Sequence, residues 1–304
     1  MSTSNDHTPI SHETPAIKPR RSVLYMPGSN ARALEKAKTL HADALILDLE
    51  DAVAPDMKHM AREQVCAGVK AGGYGSHEVI IRINAPDSEW GNQDLQAAID
   101  AKPNAILIPK VSNPDTLHKI GAMLTTHHAD AQIKIWAMIE TPLAMLNIHA
   151  IAACAHSTST RLSCFVMGTN DLSKETGAGF GHQRLAMMPW LMQSLVAARA
   201  YGIDIIDGVY NTLDDEAGFK AECEQGKLCG FNGKTLIHPK QIDIANEVFA
   251  PSKHEIEQAQ IIVDAFDLPE NMSKGAISLG GRMVERLHAD MAKRILMLAN
   301  AIHT

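Results

Sequence analysis

Glu140 and Asp171 each stand just beyond a run of apolar residues, in Ile135-Trp136-Ala137-Met138-Ile139-Glu140 and Phe165-Val166-Met167-Gly168-Thr169-Asn170-Asp171. Two carboxylates brought side by side suit a hard divalent cation such as Mg2+, which keeps waters or takes substrate oxygens in its remaining positions. Each also has a local reading, since Thr141-Pro142 starts a helix after Glu140 and Asp171 can cap the turn that follows it. Their recurrence at successive run ends favours the metal. Arg82 interrupts Ile80-Ile81-Arg82-Ile83-Asn84, where a charge costs desolvation unless it is paired. Its planar fork suits a substrate carboxylate, and a salt bridge to Asp48 or Glu50 fits equally well. Asp48-Leu49-Glu50-Asp51 supplies three more carboxylates, able to order metal-bound waters or Arg82, with at least one a solvated helix cap. Lys110 and Lys234 are candidate electrostatic groups. A Schiff-base lysine is conceivable at either, but the carboxylate pair makes metal-held enolate chemistry the better reading.

Eight short apolar runs must position these residues: 22–25, 44–47, 79–83, 105–108, 133–139, 162–167, 203–206 and 228–231. Most are rich in β-branched residues and Leu with little strict alternation, as parallel strands buried on both faces require. The stretches between them are long enough for crossover helices. Eight such units with chemistry at the strand ends describe an α/β protein, a (β/α)8 (TIM) barrel whose active site lies at the C-terminal face. The rival is a doubly wound open sheet, but the dinucleotide glycine fingerprint after the first strand is missing.

At 304 residues, one barrel of ~250 residues leaves about 50 to spare. Residues 1–19 read as a disordered polar tail, 20–250 as the barrel, and 251–304 as a helical extension. In that extension Ser252 and Glu255 form a capping box, 274–281 is a glycine-containing link, and a last helix begins near Met283. A net charge of -7 argues against general affinity for nucleic acid or anionic membrane. No apolar run approaches the ~20 residues that span a bilayer. Five scattered cysteines without a C-x-x-C pair point to reduced thiols in a cytoplasmic protein.

Taken in order, these residues resemble the citrate lyase β-subunit-like family within the HpcH/HpaI aldolase group. The resemblance rests on Arg21-Ser22-Val23-Leu24-Tyr25-Met26-Pro27-Gly28-Ser29, Leu47-Asp48-Leu49-Glu50-Asp51-Ala52-Val53, Arg82-Ile83-Asn84, Pro109-Lys110-Val111 and Ile139-Glu140-Thr141-Pro142. Gly168-Thr169-Asn170-Asp171-Leu172, Gly230-Phe231-Asn232-Gly233-Lys234 and Ile237-His238-Pro239 extend it. It implies a barrel with Mg2+ (Mn2+ as substitute) on Glu140 and Asp171 and a substrate carboxylate on Arg82. Substrate would also meet Glu140, Gly168, Thr169 and Asn170. Tyr25 and Lys36 match residues near coenzyme A in the related malyl-CoA lyases, and Arg32 would replace an arginine that those enzymes have where this chain has Asn30. Their catalytic acid lies in a Met-Ile-Asp sequence, which reads Met283-Val284-Glu285 here, so Glu285 joins Arg82 and Asp51 as a candidate catalytic residue.

The expected activity is cleavage or formation of a malyl-CoA or citramalyl-CoA type thioester, giving an acyl-CoA and a 2-oxo acid. The alternatives are a malyl-CoA-type thioesterase and a non-catalytic or carrier-dependent subunit. The C-terminal helix is expected to cover a neighbour's barrel mouth in a homotrimer or homohexamer.

Overall fold

Side-chain alternation along eight short strands decides what lines the barrel and what faces its helices. The computed structural model describes residues 17–303, so residues 1–16 of the expected N-terminal tail lie outside the described residues. The strands are β1 (Ser22–Pro27), β2 (Ala44–Asp48), β3 (Glu78–Arg82), β4 (Ala105–Ile108), β5 (Lys134–Ile139), β6 (Leu162–Met167), β7 (Asp204–Asp207) and β8 (Gly233–Leu236). They pair in parallel in sequence order, and β8 closes on β1 through Ser22↔Lys234 and Leu24↔Leu236. The expected α/β (TIM) barrel is the fold.

Ala44 and Ile46, Trp136 and Met138, and Cys164 and Val166 belong to the inner cluster. Leu45 and Leu47, Ala137 and Ile139, and Phe165 and Met167 belong to the cluster packed under the helices. Because the side-chain period is two, the inward register continues into Tyr25, Asp48, Arg82 and Glu140 at the C-terminal strand ends. Crossover helices begin at side-chain caps: Asn30 accepts from Ala33, Asn113 from Thr116, Thr141 from Ala144 and Asp215 from Gly218. Each such cap contributes about 1 kcal/mol.

The eighth strand differs from the expected one. The run 228–231 covers the last turn of a helix, Glu216–Cys229, which ends at Gly230 in the left-handed conformation with φ 103°. Leu228 is 88% exposed, so its apolar character never served a core. A four-residue apolar run does not separate a helix end from a strand, and Gly230 inside it was the stop signal. β8 starts instead at Gly233, where a Cβ would lie 1.8 Å from the Arg20 carbonyl oxygen.

This shift also corrects the placement of Lys234. It lies inside β8, shares the outward register of Leu236, and is fully buried. Its ammonium donates to Asp207 Oδ2 (2.9 Å) and Glu222 Oε1 (2.7 Å), while Arg184 pairs with the same Asp207 at 2.8 Å. Lys234 is a partner in a buried ion network behind the sheet and not an electrostatic group of the mouth.

From Ala250 the chain forms a separate unit. Ser252 and Glu255 make the expected capping box at the start of helix Lys253–Asp267. The segment expected as a link and helix start is a hairpin: β9 (Ala276–Leu279) pairs antiparallel with β10 (Arg282–Glu285). Gly280 and Gly281, at φ 57° and 77°, make the two-residue turn for which positive φ is required. The last helix, Arg286–His303, follows the hairpin, and Phe266, Ile277 and Ala289 form this unit's own small core. Among the described residues no helix is long and apolar enough to cross a membrane.

Candidate active site

Arg82 is the centre of the barrel mouth. Its Nε and Nη2 donate to Asp48 Oδ1 and Oδ2, both at 2.6 Å, a side-on bidentate pair. Nη1 lies 2.9 Å from Glu50 Oε2 and 3.4 Å from Asp51 Oδ2. The guanidinium carbon sits 4.9 Å from the centroid of the Tyr25 ring, a cation–π contact. Of the two sequence readings of Arg82, the internal salt bridge is the one these contacts show. Asp48 occupies one edge of the fork, and the Nη1 corner faces the carboxylates of the loop. Burial works against ionising Asp48, but Arg82 and the amides of Glu50 and Ala52 overcome it and hold the group below the usual carboxylate range. Burial pushes Glu50 up to about 8 despite Arg82, and its Oε2, at ion-pair distance, has no aligned hydrogen bond. Asp51 is largely exposed, at 61%.

Glu140 follows β5 and is buried. Thr141 takes the helix-capping role, leaving Glu140 free of it. Its Oε1 accepts the Lys110 amide at 2.7 Å, while Oε2 is buried with no hydrogen-bond partner. Burial and then the charge of Asp171 push Glu140 up to about 7, partly offset by Arg82 and the Lys110 amide. Asp171 lies in the first turn of helix Thr169–Thr176, and Lys110 Nζ reaches its Oδ1 at 3.7 Å. The pair is thus assembled around Lys110.

Gly168 is required where it stands, since a Cβ there would lie 2.3 Å from Glu140 Cβ and 2.5 Å from Oε2. Beside it the Thr169 hydroxyl is buried without a partner, and Asn170 exchanges hydrogen bonds with Asn211 at 2.8 and 3.2 Å. An orphaned carboxylate oxygen, next to a second carboxylate that opposes its ionisation, fits a hard cation. Among the described residues no three His, Cys, Asp or Glu side chains form a ready-made cage, so such an ion would take further oxygens from water or substrate.

The candidate coenzyme-binding residues are placed differently from one another. Tyr25 lines the barrel interior under Arg82, whereas Arg32 and Lys36 are exposed one turn apart on helix Ala31–Ala37. Glu285 belongs to the C-terminal unit, where it ends β10 and its amide donates to His288 Nδ1.

Sequence reasoning missed the support beneath the mouth. The Lys58 ammonium donates to the carbonyls of Leu49 (2.9 Å) and Glu50 (2.7 Å) and to Asn84 Oδ1 (2.7 Å). Asn84 in turn donates to Asp94 Oδ2 at 2.6 Å, and Arg62 donates to Asp94 Oδ1 at 2.6 Å. Lys58, Arg62 and Asp94 sit in the helices after β2 and β3, where charged residues are ordinarily solvated. No spacing signal sets these three apart.

The model of the HpcH/HpaI aldolase/citrate lyase family matches residues 21–239. A (3S)-malyl-CoA thioesterase of Cereibacter sphaeroides is 49% identical over 284 residues, covering 93% of this chain and 96% of that protein. The citrate lyase subunit beta of Escherichia coli K12 is 33% identical over 285 residues, covering 92% and 93%. Among solved structures, the Mycobacterium tuberculosis CitE protein, crystallised with magnesium, acetoacetate and coenzyme A, superposes with a TM-score of 0.74. It shares 24% identity, with 94% of this chain and 99% of that one covered. A citrate lyase of Burkholderia xenovorans LB400 gives a TM-score of 0.79 at 18% identity, covering 95% and 94%. These two share the fold. With its barrel matched along nearly its whole length, and with relatives at 33% to 49% identity, this chain belongs to the HpcH/HpaI aldolase/citrate lyase family.

Proposed function

We propose that this protein is a Mg2+-dependent enzyme acting on malyl-type 3-hydroxyacyl-CoA thioesters, and that it hydrolyses the thioester. The observation that carries the hydrolytic reading is the 47% to 49% identity, over 93% of this chain, to four proteins named (3S)-malyl-CoA thioesterase. Glu140 and Asp171 would hold the ion. Bound Mg2+ supplies a Lewis acid that polarises substrate oxygens and makes bound water more acidic. Arg82, anchored by Asp48, would give the Nη1 corner that now pairs with Glu50 to the substrate carboxylate, and Arg32 and Lys36 offer exposed charge to the phosphates of the coenzyme. Gly168 leaves open the space beside Glu140 Oε2 that a side chain would fill.

Carbon–carbon cleavage to an acyl-CoA and a 2-oxo acid is the second reading. It is favoured by the placement of Arg82 and Glu140 in one inward register, with Asp171 reached from the same side by Lys110, which suits a 2-oxo acid as well as a hydroxy acid. The two reactions separate by product. With (3S)-malyl-CoA and Mg2+, hydrolysis adds water across the C–S bond and releases one free thiol per substrate, with malate and no 2-oxo acid. Lyase action releases a 2-oxo acid while the thioester stays intact. A thiol reagent and a 2-oxo acid reagent on the same reaction decide, and no turnover with malyl-, citramalyl- or β-methylmalyl-CoA would support a binding subunit instead.

Glu285 is proposed as the proton-exchanging group, acting at the barrel mouth of another copy of the chain in a cyclic assembly. Complementation tests this. Arg82→Ala and Glu285→Ala should each be inactive alone, and mixing, dissociating and reassembling them should restore part of the activity. Co-assembled heteromers that stay inactive would remove Glu285 from that role.

A further inference from the structure

Lys110 is unusual in its backbone as well as in its side chain. It directly follows Pro109 at the end of β4 and holds φ 53°, a left-handed conformation that costs a non-glycine residue on the order of 1–2 kcal/mol. That turn aims its amide at Glu140 Oε1, 2.7 Å away. The same residue's ammonium lies 3.7 Å from Asp171 Oδ1. One residue therefore touches both carboxylates, and it leaves Glu140 Oε2 without a partner. The side chain is 43% exposed, so the ammonium can leave for solvent without opening a cavity.

We propose that Lys110 is a resident cation that holds the carboxylate pair together before a metal arrives and competes with the metal for Asp171. This rests on the reading that Glu140 and Asp171 bind a divalent ion. Two carboxylates kept close with no cation repel each other, and an ammonium at Asp171 relieves that repulsion. The ammonium is also a like charge to any incoming dication and must be displaced. The amide bond to Glu140 is unaffected by this exchange, so it keeps one ligand aimed while the other is handed over. A lysine that merely anchors the site would behave in the opposite sense, since its removal would weaken metal binding.

Mn2+ titration followed by the electron paramagnetic resonance of the free ion tests this on the full-length protein. Lys110→Asn and Lys110→Gly both tolerate the left-handed backbone and keep the amide, so they remove the ammonium alone. Each should bind Mn2+ about fivefold more tightly or better, the effect of deleting one like charge a few ångströms from a dication at a partly exposed site. Lys110→Arg should keep the wild-type affinity. The rise in melting temperature on adding Mn2+ should be larger in the Asn and Gly variants than in wild type, each measured against its own metal-free protein. Equal or weaker Mn2+ binding in both variants, with saturable binding in wild type, would overturn the proposal for Lys110 alone. No saturable binding by wild type or any variant would overturn the metal assignment and this proposal with it.

Discussion

Glu140→Gln is expected to lower metal-dependent turnover by about a thousandfold or more, because several kcal/mol of Lewis-acid stabilisation is lost with the ion. Gln keeps an acceptor for the Lys110 amide, which donates to Oε1 at 2.7 Å, so the local backbone should survive. The substitution should also do something that damage to the fold would not. In the metal-free protein, burial and Asp171 raise Glu140 to about 7 from 4.5. Between those values the folded state binds more protons than the unfolded state, so this group makes stability fall as pH rises through the window. Gln cannot ionise. Metal-free Glu140→Gln should therefore melt above metal-free wild type at pH 8, and the difference should shrink towards pH 4.5. Melting curves across pH, together with Mn2+ titration, check both halves. A variant that still binds Mn2+ as wild type does, or that retains full turnover, would remove Glu140 from the metal site.

The parts of this protein that a sequence shows well are those governed by a fixed period. Buried parallel strands ending in polar residues placed Tyr25, Asp48, Arg82 and Glu140 near the ends of β1, β2, β3 and β5, and the two-residue alternation turns all four to one side. What was hidden depends on three-dimensional neighbours. Gly168 reads as a weak turn glycine until its missing Cβ is seen against Glu140. Lys110 reads as a generic cation until its left-handed backbone is seen. Lys234 was misplaced because an exposed helix end, with Leu228, imitates a buried strand over four residues. The hairpin before the last helix was signalled by Gly280-Gly281, but the apolar residues on either side fit a helix start as readily as two short strands.

For Arg82 the sequence offered either a substrate clamp or an internal salt bridge, and the structure shows the bridge, with both Asp48 oxygens 2.6 Å from the guanidinium. Arg82→Met is expected to cost about 3–5 kcal/mol of stability, because Asp48 is left as an unpaired charge in the barrel mouth. It should also abolish turnover. Loss of activity in that variant alone would say little, since an unstable barrel is also an inactive one. Adding Asp48→Asn separates the two effects. Asn can still accept one of the two amides, of Glu50 and Ala52, that the separate Asp48 oxygens accept at 2.9 and 3.1 Å, and it carries no charge that needs Arg82. The double variant should recover most of the melting temperature lost in Arg82→Met. If Arg82 also holds the substrate carboxylate, turnover should stay lost in that stabilised background. Recovery of turnover along with stability would make Arg82 a purely structural residue and leave the substrate carboxylate to another partner.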